Sequence, residues 1–345
     1  MNVPEKTILA LDAHGGDQGL DVSVPAALAA LEQDADLHLL LVGEAERIRK
    51  ELRAGSLESA LSGRLDIHHA DTVIPMDAKP AAVLRRGRDS SLWKAFERVA
   101  QGDASACVSG GSTTAMMVTG VKVLGMLPGI QRPALMAYVP NMHSHTGLLD
   151  LGANLNVSAR QLVQFAVMGS VTAHEVDGVD SPSVGLLNVG HEDSKGHELV
   201  QAAHSMLQEL PLNYTGFIEG NDIFDGTVDI AVCDGFAGNL ILKSTEGLAR
   251  MLLRQFKGAL TENVSSRAGA ALAGPALKRM LARLDPSAHN GAPLLGLNGV
   301  AVKSHGSSDV KGLTRAILEA GREARRQVPK RIEASIHQYH LEMSA

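Results

Sequence analysis

The chain has little cysteine, few aromatic residues and no long apolar run, and each shortage removes a class of protein. Cys107 and Cys233 are the two cysteines in 345 residues. That rules out a disulfide scaffold and fits a reducing, cytoplasmic compartment. Aromatics are 3% of residues, so the core must come from Leu, Val, Ile, Ala and Met. No stretch of about 18 apolar residues exists, so nothing is expected to span a bilayer. Met1 to Lys6 lacks the apolar core of a secretory signal. A peripheral contact with the inner face of the cell membrane stays open. Positive charge is not in excess either: the net charge is -6, which excludes nucleic-acid binding by the molecule as a whole.

Familiar motifs are also missing. Asp12-Ala-His-Gly-Gly-Asp17 does not fit G-x-G-x-x-G, and no G-x-x-x-x-G-K-[ST] or G-x-S-x-G occurs. His191-Glu192 lacks the second histidine of H-E-x-x-H. The pairs His68–His69 and His143–His145 read as surface histidines, so no metal is expected.

What is present is an ordinary globular balance, 45% apolar and 20% charged, with 35 glycines. Short apolar strands alternate with helices. Strands are predicted over 7–12, 37–42, 65–69, 104–109, 133–139, 147–151, 184–189, 214–218, 228–232 and 300–303. The pair 133–139 and 147–151 reads as a hairpin. This alternation predicts an α/β fold with a largely parallel sheet, one domain over 1–345, and a helical excursion at about 248–285. Ligands of such sheets bind at the carboxyl ends of strands.

Several junctions share one design: strand, glycine-rich turn, helix. Val228–Val232 runs into Cys233-Asp-Gly-Phe-Ala-Gly-Asn239, where Gly235 and Gly238 permit a tight turn. Asp234 and Asn239 are placed at a helix mouth, with Asn239 as N-cap the plainer alternative. Ser112 and Thr113 follow two glycines. Lys195 reads as lying just inside a helix start, where the dipole disfavours a cation unless an anion is bound. Lys303-Ser-His-Gly306 ends the last strand. Cys233 reads as a small buried residue, with a nucleophile as the alternative.

The ordered series Leu11-Asp-x-x-Gly-Gly-Asp17, Ser109 to Ala115, Leu149-Asp-Leu-Gly-Ala-Asn154, Leu187-Asn-Val-Gly190 with Lys195-Gly196, Cys233 to Asn239, Asn290-Gly-Ala with Leu294-Leu-Gly296, and Lys303 to Gly306 resembles the bacterial phosphate acyltransferases of phospholipid synthesis. These are acyl-acyl-carrier-protein:phosphate transferases of the PlsX type. The resemblance spans about residues 7–335. Departures from the usual family pattern are His14, the Ser112-Thr-Thr114 run and Asn156.

The resemblance implies a Rossmann-like α/β/α sandwich related to isocitrate and isopropylmalate dehydrogenases and to phosphotransacetylases. It also implies a cytoplasmic homodimer, sometimes at the membrane. The implied reaction moves a fatty acyl group from acyl-carrier protein to inorganic phosphate, with no cofactor. The acyl phosphate would pass to a membrane glycerol-3-phosphate acyltransferase. Lys195, Asn239 and His305 become the expected catalytic residues. Asp12, Gly15, Gly16, Ser112, Thr113, Asn154, Asp234, Gly235 and Gly238 become the expected phosphate and substrate contacts. Arg250, Arg254 and Lys257, at i, i+4 and i+7, form one basic helix face and are expected to dock the acidic carrier. Alternatives are a phosphotransacetylase-like enzyme using acyl-CoA, a dehydrogenase on the related fold, and a non-enzymatic carrier or membrane adaptor.

Overall fold

The computed structural model describes residues 6–54, 63–283 and 290–341. β1 (Thr7–Asp12) leads to α1 (Leu20–Gln33), and β2 (Leu37–Gly43) to α2 (Ala45–Ala54). β3 (Leu65–His69) is followed by α3 (Pro80–Arg86) and α4 (Ser91–Ala100), and β4 (Ala106–Ser109) by α5 (Thr113–Val123). β5 (Ala134–Pro140) and β6 (His145–Leu149) form the expected antiparallel hairpin. α6 (Ala159–Thr172) runs on into a π-helical turn at Ala173–Asp177. Then come β7 (Val184–Leu187), α7 (Glu198–Gln208), β8 (Tyr214–Ile218), the one-turn α8 (Asp222–Asp225) and β9 (Ile230–Val232). α9 (Gly235–Thr261) and α10 (Val264–Arg283) follow, separated by Glu262–Asn263. β10 (Ala292–Leu295), β11 (Val300–Lys303), α11 (Val310–Arg326) and α12 (Val328–Gln338) complete the described chain.

The strands form one sheet in the order β3-β2-β1-β4-β11-β10-β5-β6-β9-β7-β8. β3, β2, β1, β4 and β11 are mutually parallel, as are β6, β9, β7 and β8. Three antiparallel pairings separate the two groups, so they run in opposite senses. Sheet twist of roughly 20–25° per strand turns the far group through about 100–125° over the five steps from β4 to β9. The carboxyl ends of the two groups therefore face a common region rather than opposite edges.

The core is aliphatic, as the scarcity of aromatics requires. α11 lays Leu313, Ala316, Ile317 and Ala320 on β1 and β11, and α6 buries Leu162, Val163, Phe165 and Ala166 on the other group. Burying each of the larger side chains contributes about 1.5–3 kcal/mol, which fixes the helices against the sheet and holds the turns between them.

Candidate active site

Strand register alone assembles the first part of the site. Asp12 lies opposite Ser109, and Ser109 opposite Lys303, so three adjacent strands end in one row. The Ser109 hydroxyl donates to Asp12 Oδ2 at 2.7 Å and accepts the Gly111 N–H at 2.9 Å. Asp12 is only 3% exposed, and its other oxygen, Oδ1, has no hydrogen-bond partner. Burial raises its pKa. Asp12 is thus turned into the protein, where it orders the Ser109 turn.

The turns after these strands interlock through glycines. A side chain at Gly15 would stand 2.7 Å from both Asp12 Oδ2 and Ser109 Oγ, and one at Gly16 would stand 3.1 Å from the Gly306 carbonyl. The Asp17 N–H donates to that same carbonyl at 2.8 Å, and the Ser304 N–H donates to Ser109 O at 2.9 Å. Ser112 is the N-cap of α5, its hydroxyl accepting the Ala115 N–H. Thr113 opens that helix, whose first-turn N–H groups have no intrahelical acceptors. His305 is partly exposed. Asn290 holds its backbone N–H at 3.2 Å. The Ser307 N–H donates to His305 Nδ1 at 3.3 Å, and Ser307 Oγ lies 2.9 Å from the same nitrogen. Partial desolvation, reinforced by the Lys243 ammonium, lowers the imidazole pKa. A neutral ring with Nδ1 accepting carries its proton on Nε2, the side away from the turn.

The second part gathers around Asp150, fully buried just past the end of β6. Its carboxylate accepts from the backbone N–H groups of Leu135, Ala153 and Asn154 and from Asn154 Nδ2, at 2.6–3.2 Å. Asn154 also donates to Pro133 O at 2.7 Å. Gly235 packs directly on this knot: a side chain there would lie 2.6 Å from Asn154 O and 2.9 Å from Asp150 Oδ2. At Gly238 a side chain would overlap the Asp150 carbonyl oxygen. So the close approach that these glycines permit is to the protein's own backbone.

Two expectations are corrected here. The N-cap of α9 is Asp234, which accepts the Ala237 N–H at 2.8 Å, so Asn239 lies in the helix beyond the cap. Asn239 is exposed and packs beside Gly152. Lys195 is not inside a helix. It sits in the turn before α7, whose N-cap is His197, because Gly196 adopts a φ of 90° that interrupts the helical backbone. The dipole conflict at Lys195 therefore does not exist. Its ammonium is exposed, while its carbonyl accepts from Asn188 and Gln201. Among the described residues no hydrogen bond joins this loop to the other two clusters. It does follow β7, the neighbour of β9.

α9 connects the two clusters. Its start rests on Asp150, and two turns later Lys243 and Glu246 act electrostatically on His305. Lys243 also acts on Lys303. On the segments that follow strands of the second group, large apolar side chains lie exposed: Leu155 after β6, Val189 after β7, and Phe236 and Leu240 on α9. The sequence reading passed over these side chains, as it did the burial of Lys303. Cys233 is buried and its thiol pKa is pushed up by burial, so the nucleophile alternative loses support. His14 and His69 accept the Glu44 and Ala45 N–H groups at 3.0 and 3.2 Å, which places both at the start of α2. Arg250, Arg254 and Lys257 are exposed on α9, with Arg250 also 3.6 Å from Glu246. Leu284 and Asp285, which complete the predicted excursion, lie outside the described residues, as does the side chain of Arg283.

The fold is shared with solved phosphotransacetylases. The structure is similar to that of a phosphotransacetylase from Streptococcus pyogenes, with TM-score 0.60 and 17% identity, covering 93% of this chain and 95% of that one. It is likewise similar to the EutD phosphotransacetylase from Staphylococcus aureus, with TM-score 0.59 and 14% identity, over 92% and 94% of the two chains. At those identities the likeness shows the fold alone.

The chain itself belongs to the fatty acid synthesis protein family, which residues 7–331 match. It is 46% identical over 330 residues to the phosphate acyltransferase of Alkalilimnicola ehrlichii, covering 95% of this chain and 96% of the relative. It is 48% identical over 330 residues to that of Pseudomonas syringae pv. syringae, with the same coverage. The chain is an acyltransferase. Among the described residues no helix is long and apolar enough to cross a membrane.

Proposed function

We propose that the protein transfers a fatty acyl group from acyl-carrier protein to inorganic phosphate, releasing acyl phosphate for phospholipid synthesis. The observation that carries this reading is the division of the strand-end region. Interlocked glycine turns and a helix N-terminus, suited to an anion, lie on one side. Exposed apolar side chains, which we read as a collar suited to a fatty chain, lie on the other. α9 joins them and carries Asn239. The phosphate acyltransferase relatives support phosphate as the acceptor.

A phosphate oxygen attacks the thioester carbonyl, a C–O bond forms, and the C–S bond breaks with departure of the thiolate. Phosphate is a competent nucleophile and a thiolate a good leaving group, so this transfer calls on no cofactor and no acyl-enzyme. The protein's part is to align the reactants and stabilise the tetrahedral oxyanion. Lys195 grips phosphate. Asn239 orients phosphate or donates to the oxyanion. His305, with its proton on Nε2, donates to the oxyanion or protonates the departing sulfur. Arg250, Arg254 and Lys257 receive the acidic carrier protein. The acyl phosphate then passes to a membrane glycerol-3-phosphate acyltransferase. The protein works as a cytoplasmic homodimer that visits the membrane surface.

The test is incubation with long-chain acyl-carrier protein, with and without phosphate. The expected result is phosphate-dependent loss of thioester, lowered about 10²–10³-fold in Lys195→Ala. Consumption of acyl-CoA but not of acyl-carrier protein would assign the phosphotransacetylase alternative. In the Arg250→Glu, Arg254→Glu double variant, the KM for the carrier donor should rise while that for phosphate holds.

A further inference from the structure

Lys303 is the least exposed basic residue at the site. It is 7% exposed, at the carboxyl end of β11 beside Ser109. Its ammonium donates to the Gly110 carbonyl at 3.3 Å and to the Ser304 carbonyl. These oxygens belong to the two turns that lead to Ser112 and to His305. Among the described residues the ammonium makes no ion pair with a carboxylate. A buried charge without a counter-charge is costly, and proteins ordinarily pair it. An ammonium has three donors, and the two carbonyls engage two of them. Asp12 is poorly placed to serve, since burial itself disfavours its ionised form and its Oδ2 is occupied by Ser109, and Asp17, exposed in the turn before α1, acts on the ammonium only from beyond ion-pair distance.

We infer that the missing counter-charge is the bound phosphate, and that Lys303 also ties together the two turns between which that anion rests. The inference rests on the phosphate-acceptor reading above and adds a residue to it. Burial pulls the ammonium pKa down to about 8, so in the empty site the charge is lost in mildly alkaline solution. The other charged groups facing Lys303 are Asp12 from β1, Asp17 from the turn before α1, and Lys243 from α9. Because phosphate binds the charged form, its affinity is full below pH 8. Above about 8 it weakens roughly tenfold per pH unit, until the raised pKa of the complex is passed. Phosphate itself passes from monoanion to dianion below that break and is the dianion above it.

The experiment is direct calorimetric titration of the full chain with inorganic phosphate between about pH 7.5 and 9.5, above phosphate's own second ionisation, so neither that step nor an acyl donor enters the readout. Wild type should show the break near pH 8. Lys303→Arg, which keeps its charge, should bind without a break. Lys303→Met should bind at least tenfold more weakly at about pH 7.5, also without a break. A folded Lys303→Met protein binding phosphate within threefold of wild type would overturn the inference, as would a break that persists in Lys303→Arg. If neither variant folds, proton uptake on phosphate binding by wild type at pH 8.5, read in buffers of different ionisation enthalpy, decides: uptake supports the assignment and its absence overturns it. Phosphate binding of the expected form without thioester consumption would defeat the acyl-transfer reading and leave Lys303 in place.

Discussion

Asp12 and Asp150 occupy equivalent positions, each a buried aspartate where a strand of one parallel group ends, and they are satisfied very differently. Asp150 receives four donors on its two oxygens. Asp12 receives one hydroxyl on Oδ2, keeps Oδ1 unpartnered, and stands near a lysine without an ion pair. The first arrangement is finished without any ligand. The second leaves buried polar capacity unmet on an oxygen turned into the protein. The contrast teaches that two similar glycine-rich turns can serve opposite ends. The Asp150 turn is scaffold for the exposed start of α9, whereas the Asp12 turn leads to the proposed anion site.

The strongest way to break the comparison is Gly238→Ala. The added methyl meets the Asp150 carbonyl, which the knot cannot move, so the cost should exceed about 3 kcal/mol. Loss of the cooperative thermal transition in circular dichroism would show it. Asp150→Asn should follow, since the new amide faces donors with a donor. Destabilisation of about 2–4 kcal/mol in urea melts is expected, with phosphate affinity kept in the folded fraction.

Phe236→Ser tests the collar without touching either aspartate. It should lower kcat/KM for a long-chain donor by about 1–2 kcal/mol, roughly 5–30-fold, and leave a short-chain donor almost unchanged. An equal loss for both donors would remove the collar from acyl binding. The smallest effect is expected for Asp12→Asn. Because burial raises the folded-state pKa of Asp12, its contribution to stability is full below the ordinary value of 3.8 and is lost as pH rises through the folded value. The neutral amide keeps an acceptor for Ser109. The variant should therefore match or exceed wild-type stability at pH 7.5 by up to about 1 kcal/mol, with the difference shrinking toward pH 4.

Much of this was legible in the sequence, and the remainder failed for physical reasons. Strands such as Ile230–Val232 announce themselves by β-branched apolar runs, and glycine-rich junctions mark where they end. β10 went unseen because Ala292–Leu295 is four residues long, contains Pro293, and owes its strand state to pairing with β11 and the distant β5. The start of α9 was displaced because Asp234 and Asn239 are both good N-caps, and only the packing of Gly235 and Gly238 on Asp150 decides between them. The saturation of Asp150 depends on Leu135, fifteen residues away, which no local pattern reveals. Lys303 stands in a motif that drew notice, yet a lysine at a strand end is ordinarily solvated. Its burial follows from strand order, which places β11 inside the sheet.

Gly238 carries one more lesson, about descent rather than chemistry. A position where even a methyl group collides with an immovable carbonyl is closed to drift. Any lineage that keeps this backbone must keep glycine there, whether or not it keeps the reaction. A descendant that had abandoned acyl transfer for another trade would still display Gly235 and Gly238, and so would still look like its enzymatic cousins in that stretch. Residues such as Asn239 or Phe236, exposed and free of that steric bind, are where a change of occupation would first be written.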